Sequence, residues 1–378
     1  MPACCRSLAS SPMSASPVLP DWNDGCVTQI VPGLLEPELG SSPLFDDEVL
    51  DASAVVLLVI DGLGWHQLQA RAHLAPTLTG LTGRSITTVA PSTTSAALTS
   101  ITTGLPPGEH GVVGYRVAVD NDVMNVLSWR TKHGDARERI VPEEFQPHPA
   151  FCGQRPVVVQ NAPFAATGFT RAHQAGGRQQ GWRTLPTLPV EVRRAIAAGE
   201  PFVYAYYDGI DKIAHEFGFG EHYDAELAAV DRMVADLLPM LPRRTALVVT
   251  ADHGLVSCPD GELDLALSAT SLCCQVSGEG RFRWLHAEPG RHRDVFAAAA
   301  DAHGQQAWVL TCEQILDEGW FGPTVNDQAR RRLGDVAVVA RDHWSFADPA
   351  DRTPSWLVAR HGSLSPEEMH VPLLTFTS

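Results

Sequence analysis

AVVLLVIDGLG (54–64) decides the fold class. An unbroken run of aliphatic residues from Ala54 to Ile60 stops abruptly at Asp61-Gly62. Alternation would mark a strand with one wet face, whereas a continuous run marks one covered on both faces, as in a parallel-rich sheet. Comparable runs follow: FVYAYY (202–207), TALVVT (245–250), DVAVVA (335–340), SWLVA (355–359) and PLLTF (372–376). Between them, Tyr223 to Leu238 carries helical periodicity, with Leu227, Val230, Val234, Leu237 and Leu238 on one face. Strands alternating with helical segments predict an α/β chain with a mostly parallel central sheet.

The 378 residues suffice for one large α/β domain with insertions. We read residues 1–22, rich in Ser, Ala and Pro, as a poorly ordered tail, and 23–378 as the domain. The loop-rich spans at roughly 116–200 and 257–344 read as insertions that cap a site. Apolar residues make up 44% and charged residues 19%, a globular balance. The net charge of −16 argues against a nucleic-acid groove, but not against a small anionic substrate beside bound cations. The N-terminus has no continuous apolar signal core, and no run approaches a membrane span. The eight cysteines lack the C-x-x-C pairs of a zinc knuckle and read as reduced thiols. A cytoplasmic protein is the expectation.

Three of the strand runs end in residues with metal-ligand chemistry. Asp61 follows the first, Asp208 and Asp211 follow FVYAYY, and Asp252-His253 follow TALVVT. Open α/β sheets bind ligands beyond the carboxyl ends of their strands. Asp211 and His215 are four apart, so one helical turn places both on one face. His361 follows SWLVAR. Singly, each has an ordinary reading as a turn residue, a solvated pair or a structural histidine. Jointly, three carboxylates and three imidazoles form a mixed oxygen and nitrogen set suited to zinc or a similar divalent ion.

The segment APSTTSAALTSITTG (90–104) offers a nucleophile. A hydroxyl in the first turn of a helix sits in a field that favours negative charge. A neighbouring cation would lower its pKa further. The competing reading is a plain N-cap, since Ser and Thr are ordinary there.

VVLLVIDGLG, STTSAALTSITTG followed by HG, DKIAHEFG, TADHGL and RHGSLSPEEMHVPLL occur in this order. Together they resemble the alkaline phosphatase superfamily, most closely its nucleotide pyrophosphatase/type I phosphodiesterase branch. The resemblance spans about residues 54–376. It implies a three-layer α/β/α sandwich and two divalent ions, zinc or alternatively manganese. One ion would be held by Asp61, the nucleophile, Asp252 and His253, and the other by Asp211, His215 and His361. In that family the nucleophile stands ten residues before the Gly of a Thr-Gly pair, which here is Thr94; Thr93 is the neighbouring alternative. The branch usually carries an Asn twenty-one residues after the nucleophile, donating to a phosphoryl oxygen. Here that position is Tyr115, whose phenol is a different donor.

The resemblance implies hydrolysis through a covalent phospho-threonine, acting on a small phosphodiester or nucleotide pyrophosphate. A phosphomonoesterase is the alternative, followed by a phosphosugar mutase and by a non-catalytic metal-binding module. A sulfatase is disfavoured, because no Cys or Ser opens a C/S-x-P-x-R block. Asp208 reads equally as a carboxylate orienting a ligand histidine or as a strand-ending turn residue. His110 reads as structural, and Trp65 as core.

Overall fold

The computed structural model describes residues 16–37, 44–259, 261–348 and 356–378. Its centre is a seven-stranded sheet. The strands are β1 (Ala54–Ile60), β2 (Thr82–Thr87), β3 (Val157–Asn161), β4 (Arg178–Trp182), β5 (Phe202–Tyr207), β6 (Thr245–Thr250) and β7 (His370–Thr377). Their order across the sheet is β2-β7-β6-β1-β5-β3-β4. Only β7 runs antiparallel to its neighbours β6 and β2; the pairings of β1 with β5 and β6, and of β3 with β4 and β5, are parallel. β5 and β6 are buried throughout and β1 at all but its first residue, which bears out the two-sided cover expected of continuous apolar runs. The α/β/α fold with a mostly parallel sheet holds.

Three of the apolar runs form the middle of the sheet. β6, β1 and β5 lie side by side and parallel, with Val59 opposite Thr250 and Ile60 opposite Tyr207. Their carboxyl ends, and every candidate ligand that follows them, therefore emerge at one place.

Three parts of the sequence reading change. SWLVA contributes only its last residue to a strand, Ala359–Arg360, paired with Val256–Ser257; residues 351–355 lie outside the described residues. DVAVVA does form a strand, Val336–Ala340, but in a separate antiparallel four-stranded sheet with Cys273–Glu279, Phe282–Ala287 and Ala307–Thr311. That sheet has its own small core, including Leu285, Val295 and Val338. The span 116–200 also divides. Arg116–Val119, Asp122–Asn125, Arg130–Thr131 and Gly134–Asp135 form a small separate sheet, whereas β3 and β4 extend the central one. β2 and β4 carry no apolar run, because they are edge strands with polar, half-exposed faces. The tail expected over 1–22 falls partly on 1–15, outside the described residues. Beyond it, the Val18 amide donates to Leu364 O and the Trp22 indole to Gly319 O, which ties the chain to the core. Trp65 packs against the main core as expected.

Candidate metal centre

Asp61 sits one residue past β1, where Gly62 turns the chain with φ of 74°. A Cβ on Gly62 would lie 3.0 Å from the Asp211 Cα, so only glycine allows this close approach of the loop to the next helix. That helix, α2 (Gly209–Phe217), carries Asp211 and His215 on one face, with His215 Nε2 3.3 Å from Asp211 Oδ1. Asp252 and His253 follow β6. Gly254 behind them lies so close to the Glu367 carbonyl that a Cβ would meet it at 2.0 Å.

The hydroxyl comes from α1 (Thr94–Thr103), whose N-cap is Thr93. This helix is buried almost throughout although rich in Ser and Thr. Some of its hydroxyls are satisfied within the helix: Thr99 Oγ1 donates to Ser95 O at 2.7 Å and Thr103 Oγ1 to Thr99 O at 2.7 Å. Gly104 closes it in the left-handed region. Ser95 Oγ donates to Gly114 O at 2.8 Å, binding the helix to the loop that bears Tyr115. His110 accepts from the Val112 amide at Nδ1 and meets Ser100 Oγ at Nε2, the structural role expected of it.

The structure brings all seven predicted residues together. Thr94 Oγ1 is 3.1 Å from His253 Nε2, which is itself 3.4 Å from Asp61 Oδ1 and 3.4 Å from Asp252 Oδ2. His361 Nε2 lies 3.9 Å from Asp211 Oδ1, and its ring stacks on His253 with centroids 3.7 Å apart. Two compact sets of potential ligands result: Asp211, His215 and His361, and Asp61, Asp211 and His253. Asp211 thus reaches toward both groups, where the sequence reading gave it to one.

The proton arrangement fits cations. Each histidine places Nδ1 against a backbone carbonyl: His215 against Ala359 O at 2.6 Å, His361 against Ser92 O at 2.9 Å, and His253 against Gly254 O at 3.1 Å. Nδ1 is therefore the donor, and Nε2 presents its lone pair to the cluster. The carboxylates are held in a complementary way. Asp252 Oδ1 accepts from the Gly62 and His253 amides, and Asp61 Oδ2 accepts from the Tyr206 hydroxyl. Asp61 Oδ1, Asp211 Oδ1 and Asp252 Oδ2 are buried with no hydrogen-bond partner. Buried oxygens are rarely left so unless an ion or water completes them.

Burial, then repulsion from Asp252 and Asp211, drives Asp61 well above the ordinary carboxylate range. Burial also raises Asp211 and Asp252. His253 and His361 shift down, first by burial, with the neighbouring imidazoles adding to the effect at His361. Neutral imidazoles beside crowded carboxylates are the state a divalent cation would replace.

Several supporting residues carried no signal in the sequence. Tyr206 is one, although a buried tyrosine at a strand end needs a partner for its hydroxyl. Ser92 is another: its Oγ donates to Ser363 O at 2.6 Å and accepts from the Gly362 amide, while its carbonyl holds His361. Behind that loop the fully buried Arg281 and Glu368 pair through two hydrogen bonds of 2.7 and 2.8 Å, and the Ser363 amide donates to the same carboxylate. Asp208 does not orient a ligand histidine; its carboxylate meets the Lys212 ammonium one turn along α2. Tyr115 borders the site with Thr93, Thr94 and His361, and its hydroxyl accepts from Asn125 Nδ2 at 2.5 Å.

Among solved structures, murine ectonucleotide pyrophosphatase / phosphodiesterase 5 superposes with a TM-score of 0.64 at 16% identity, over 85% of this chain and 87% of that one. Phosphonoacetate hydrolase from Sinorhizobium meliloti 1021 superposes with a TM-score of 0.62 at 18% identity, over 86% and 90%. These likenesses concern the fold. No curated protein matches the chain by sequence. The family model for type I phosphodiesterase / nucleotide pyrophosphatase matches residues 55–364, from β1 through the loop that carries His361. With that match spanning most of the domain and all seven clustered residues, the chain belongs to the type I phosphodiesterase / nucleotide pyrophosphatase family of phosphoester hydrolases.

Proposed function

We propose that this protein hydrolyses phosphodiester or nucleotide pyrophosphate bonds through a covalent phospho-threonine at Thr94. The observation that carries the reading is that Thr94, Leu127 and Asp211 line two cavities at once. One, of about 230 Å³, is walled by Leu98, Phe164 and Phe169; the other, of about 240 Å³, by Tyr115, Glu279, Arg360 and His361. A phosphodiester has a substituent on each side of phosphorus, and a hydroxyl between two unlike cavities suits it better than a monoester. An inactivated variant of the murine neighbour has been solved in complex with AMP, a ligand consistent with a small nucleotide substrate here.

Asp61, Thr94, Asp252 and His253 would hold one divalent ion and Asp211, His215 and His361 a second, with zinc favoured by the mixed oxygen and nitrogen set. When bound, such ions neutralise phosphoryl charge and lower the pKa of a neighbouring hydroxyl. The chain does the rest by position. Thr94 Oγ1 attacks phosphorus, the P–O bond to the leaving group breaks, and water later cleaves the phospho-threonine with release of phosphate or its monoester. Each of the three histidines commits Nδ1–H to a backbone carbonyl, so Nε2 is the atom left to serve as a ligand. Tyr115 would donate to a non-bridging oxygen. The cytoplasmic setting read from the sequence belongs to the same proposal.

The test is one metal-analysed preparation offered a bis-aryl phosphodiester, an aryl phosphomonoester, a nucleoside triphosphate and phosphonoacetate, with products identified. Fastest turnover of the diester or triphosphate, at about two metal equivalents per chain, is expected. A preference for the monoester would replace this reading by a phosphomonoesterase, and full activity in metal-free protein would overturn it.

A further inference from the structure

Lys212 is one of two lysines in the chain, the other being Lys132; the remaining basic side chains are arginines. It lies on α2, between metal-cluster residue Asp211 and the next turn, and lines the Phe164 cavity together with Thr94, Leu98, Leu127 and Phe169. Its side chain is 58% exposed, so the ammonium stands at the rim. Two contacts hold it there: the buried carboxylate of Asp208, and the face of Phe164, whose centroid is 5.6 Å from Nζ.

An ammonium carries three N–H bonds, and one carboxylate does not exhaust them. An arginine would lock Asp208 with a two-pronged fork, whereas lysine is a compact point charge on a flexible stem. Asp208 and Phe164 thus act as a cradle that presents a solvated cation over a cavity walled by Leu98, Leu127 and Phe169. An apolar ring fits such walls, and a cation at the rim rewards an anionic substituent on that ring.

We infer that Lys212 anchors an anionic oxygen group, a carboxylate or a second phosphoryl, on the part of the substrate seated in the Phe164 cavity. The inference rests on the phosphoester reading of the Thr94 site and names the chemistry of one substituent.

The test uses the metal-loaded full chain and three probes: phenylphosphonate, 4-carboxyphenylphosphonate and 1,4-phenylenediphosphonate. Calorimetry should show one or both charged probes binding roughly ten- to hundredfold more tightly than phenylphosphonate. The stronger of the two identifies the source of the anion. Lys212→Met should bring the ratio close to one, and Lys212→Arg, whose fork Asp208 would lock, should lose much of it. A second measurement does not depend on any variant folding. Reductive methylation with ¹³C keeps the positive charge and labels two lysines, and the charged probes should shift only the Lys212 signal. Phenylphosphonate binding with no preference among the probes overturns the inference alone, as does a preference that survives in Lys212→Met. Failure of all three probes to bind overturns the inference together with the phosphoester reading.

Discussion

Tyr206, near the end of β5, donates its hydroxyl to Oδ2 of Asp61, just past the end of the neighbouring β1. One oxygen of Asp61 is thereby occupied, and the other, Oδ1, is left facing His253. A carboxylate held by one oxygen cannot rotate away from an ion at the other. Tyr206→Phe keeps the ring and removes only the donor. It should weaken metal binding by roughly ten- to a hundredfold, as loss of a ligand's supporting partner does. Competition with a fluorescent chelator reads the effect. An unchanged affinity would mean that the backbone alone orients Asp61.

Thr94→Ala should abolish turnover while the protein stays folded and keeps most of its metal. Thr93→Ala should be mild, because Thr93 is the N-cap whereas Thr94 Oγ1 lies 3.1 Å from His253 Nε2. Steady-state rates beside metal content separate the two. A dead Thr93→Ala with an active Thr94→Ala would move the nucleophile by one residue.

At Tyr115 the chain departs from the Asn usual in its family. Asn125 donates to the phenolic oxygen, which orients the hydroxyl beside Thr94 and His361. Tyr115→Phe should lower kcat/KM by about ten- to a thousandfold at constant metal content, the cost of removing one preorganised donor. If Phe is nearly neutral and Ala lowers only the melting temperature, Tyr115 is a packing residue.

The pH dependence of stability should report His173, a buried ring in the wall of the Phe164 cavity. Its Nδ1 donates to Phe169 O at 2.7 Å, and burial depresses its pKa from 6.5 to about 4. The neutral form is favoured in the folded state, so its contribution is present above pH 6.5 and is lost as pH falls toward 4. The loss approaches about 3 kcal/mol at the low end. His173→Phe should therefore flatten the fall in melting temperature between those limits. Parallel melting curves of wild type and variant, each scanned from pH 7 to about 4, decide this; curves that stay parallel would show that another group dominates.

The sequence alone determined the chemistry that this site can hold. Asp61, Asp252 and His253 were legible because long apolar runs end where polar residues begin. Asp211 and His215 were legible because a four-residue spacing is one helical turn. These ligand patterns are local, readable from neighbouring residues, whereas Thr94 was implied by the resemblance to the family, through its distance to Gly104. What only the tertiary structure decided is non-local. That β6, β1 and β5 lie side by side depends on strand order, which no single run encodes. The same is true of β2 and β4, whose polar edge faces carry no apolar pattern. Ser92, Tyr206 and the Arg281–Glu368 pair act through partners far along the chain. The carbonyls that fix the histidine tautomers follow the same rule for His215 and His361, where folding supplies Ala359 and Ser92. A side chain's hydrogen-bond partner is set by where the backbone returns, so these roles exist only once the chain has closed around the cluster.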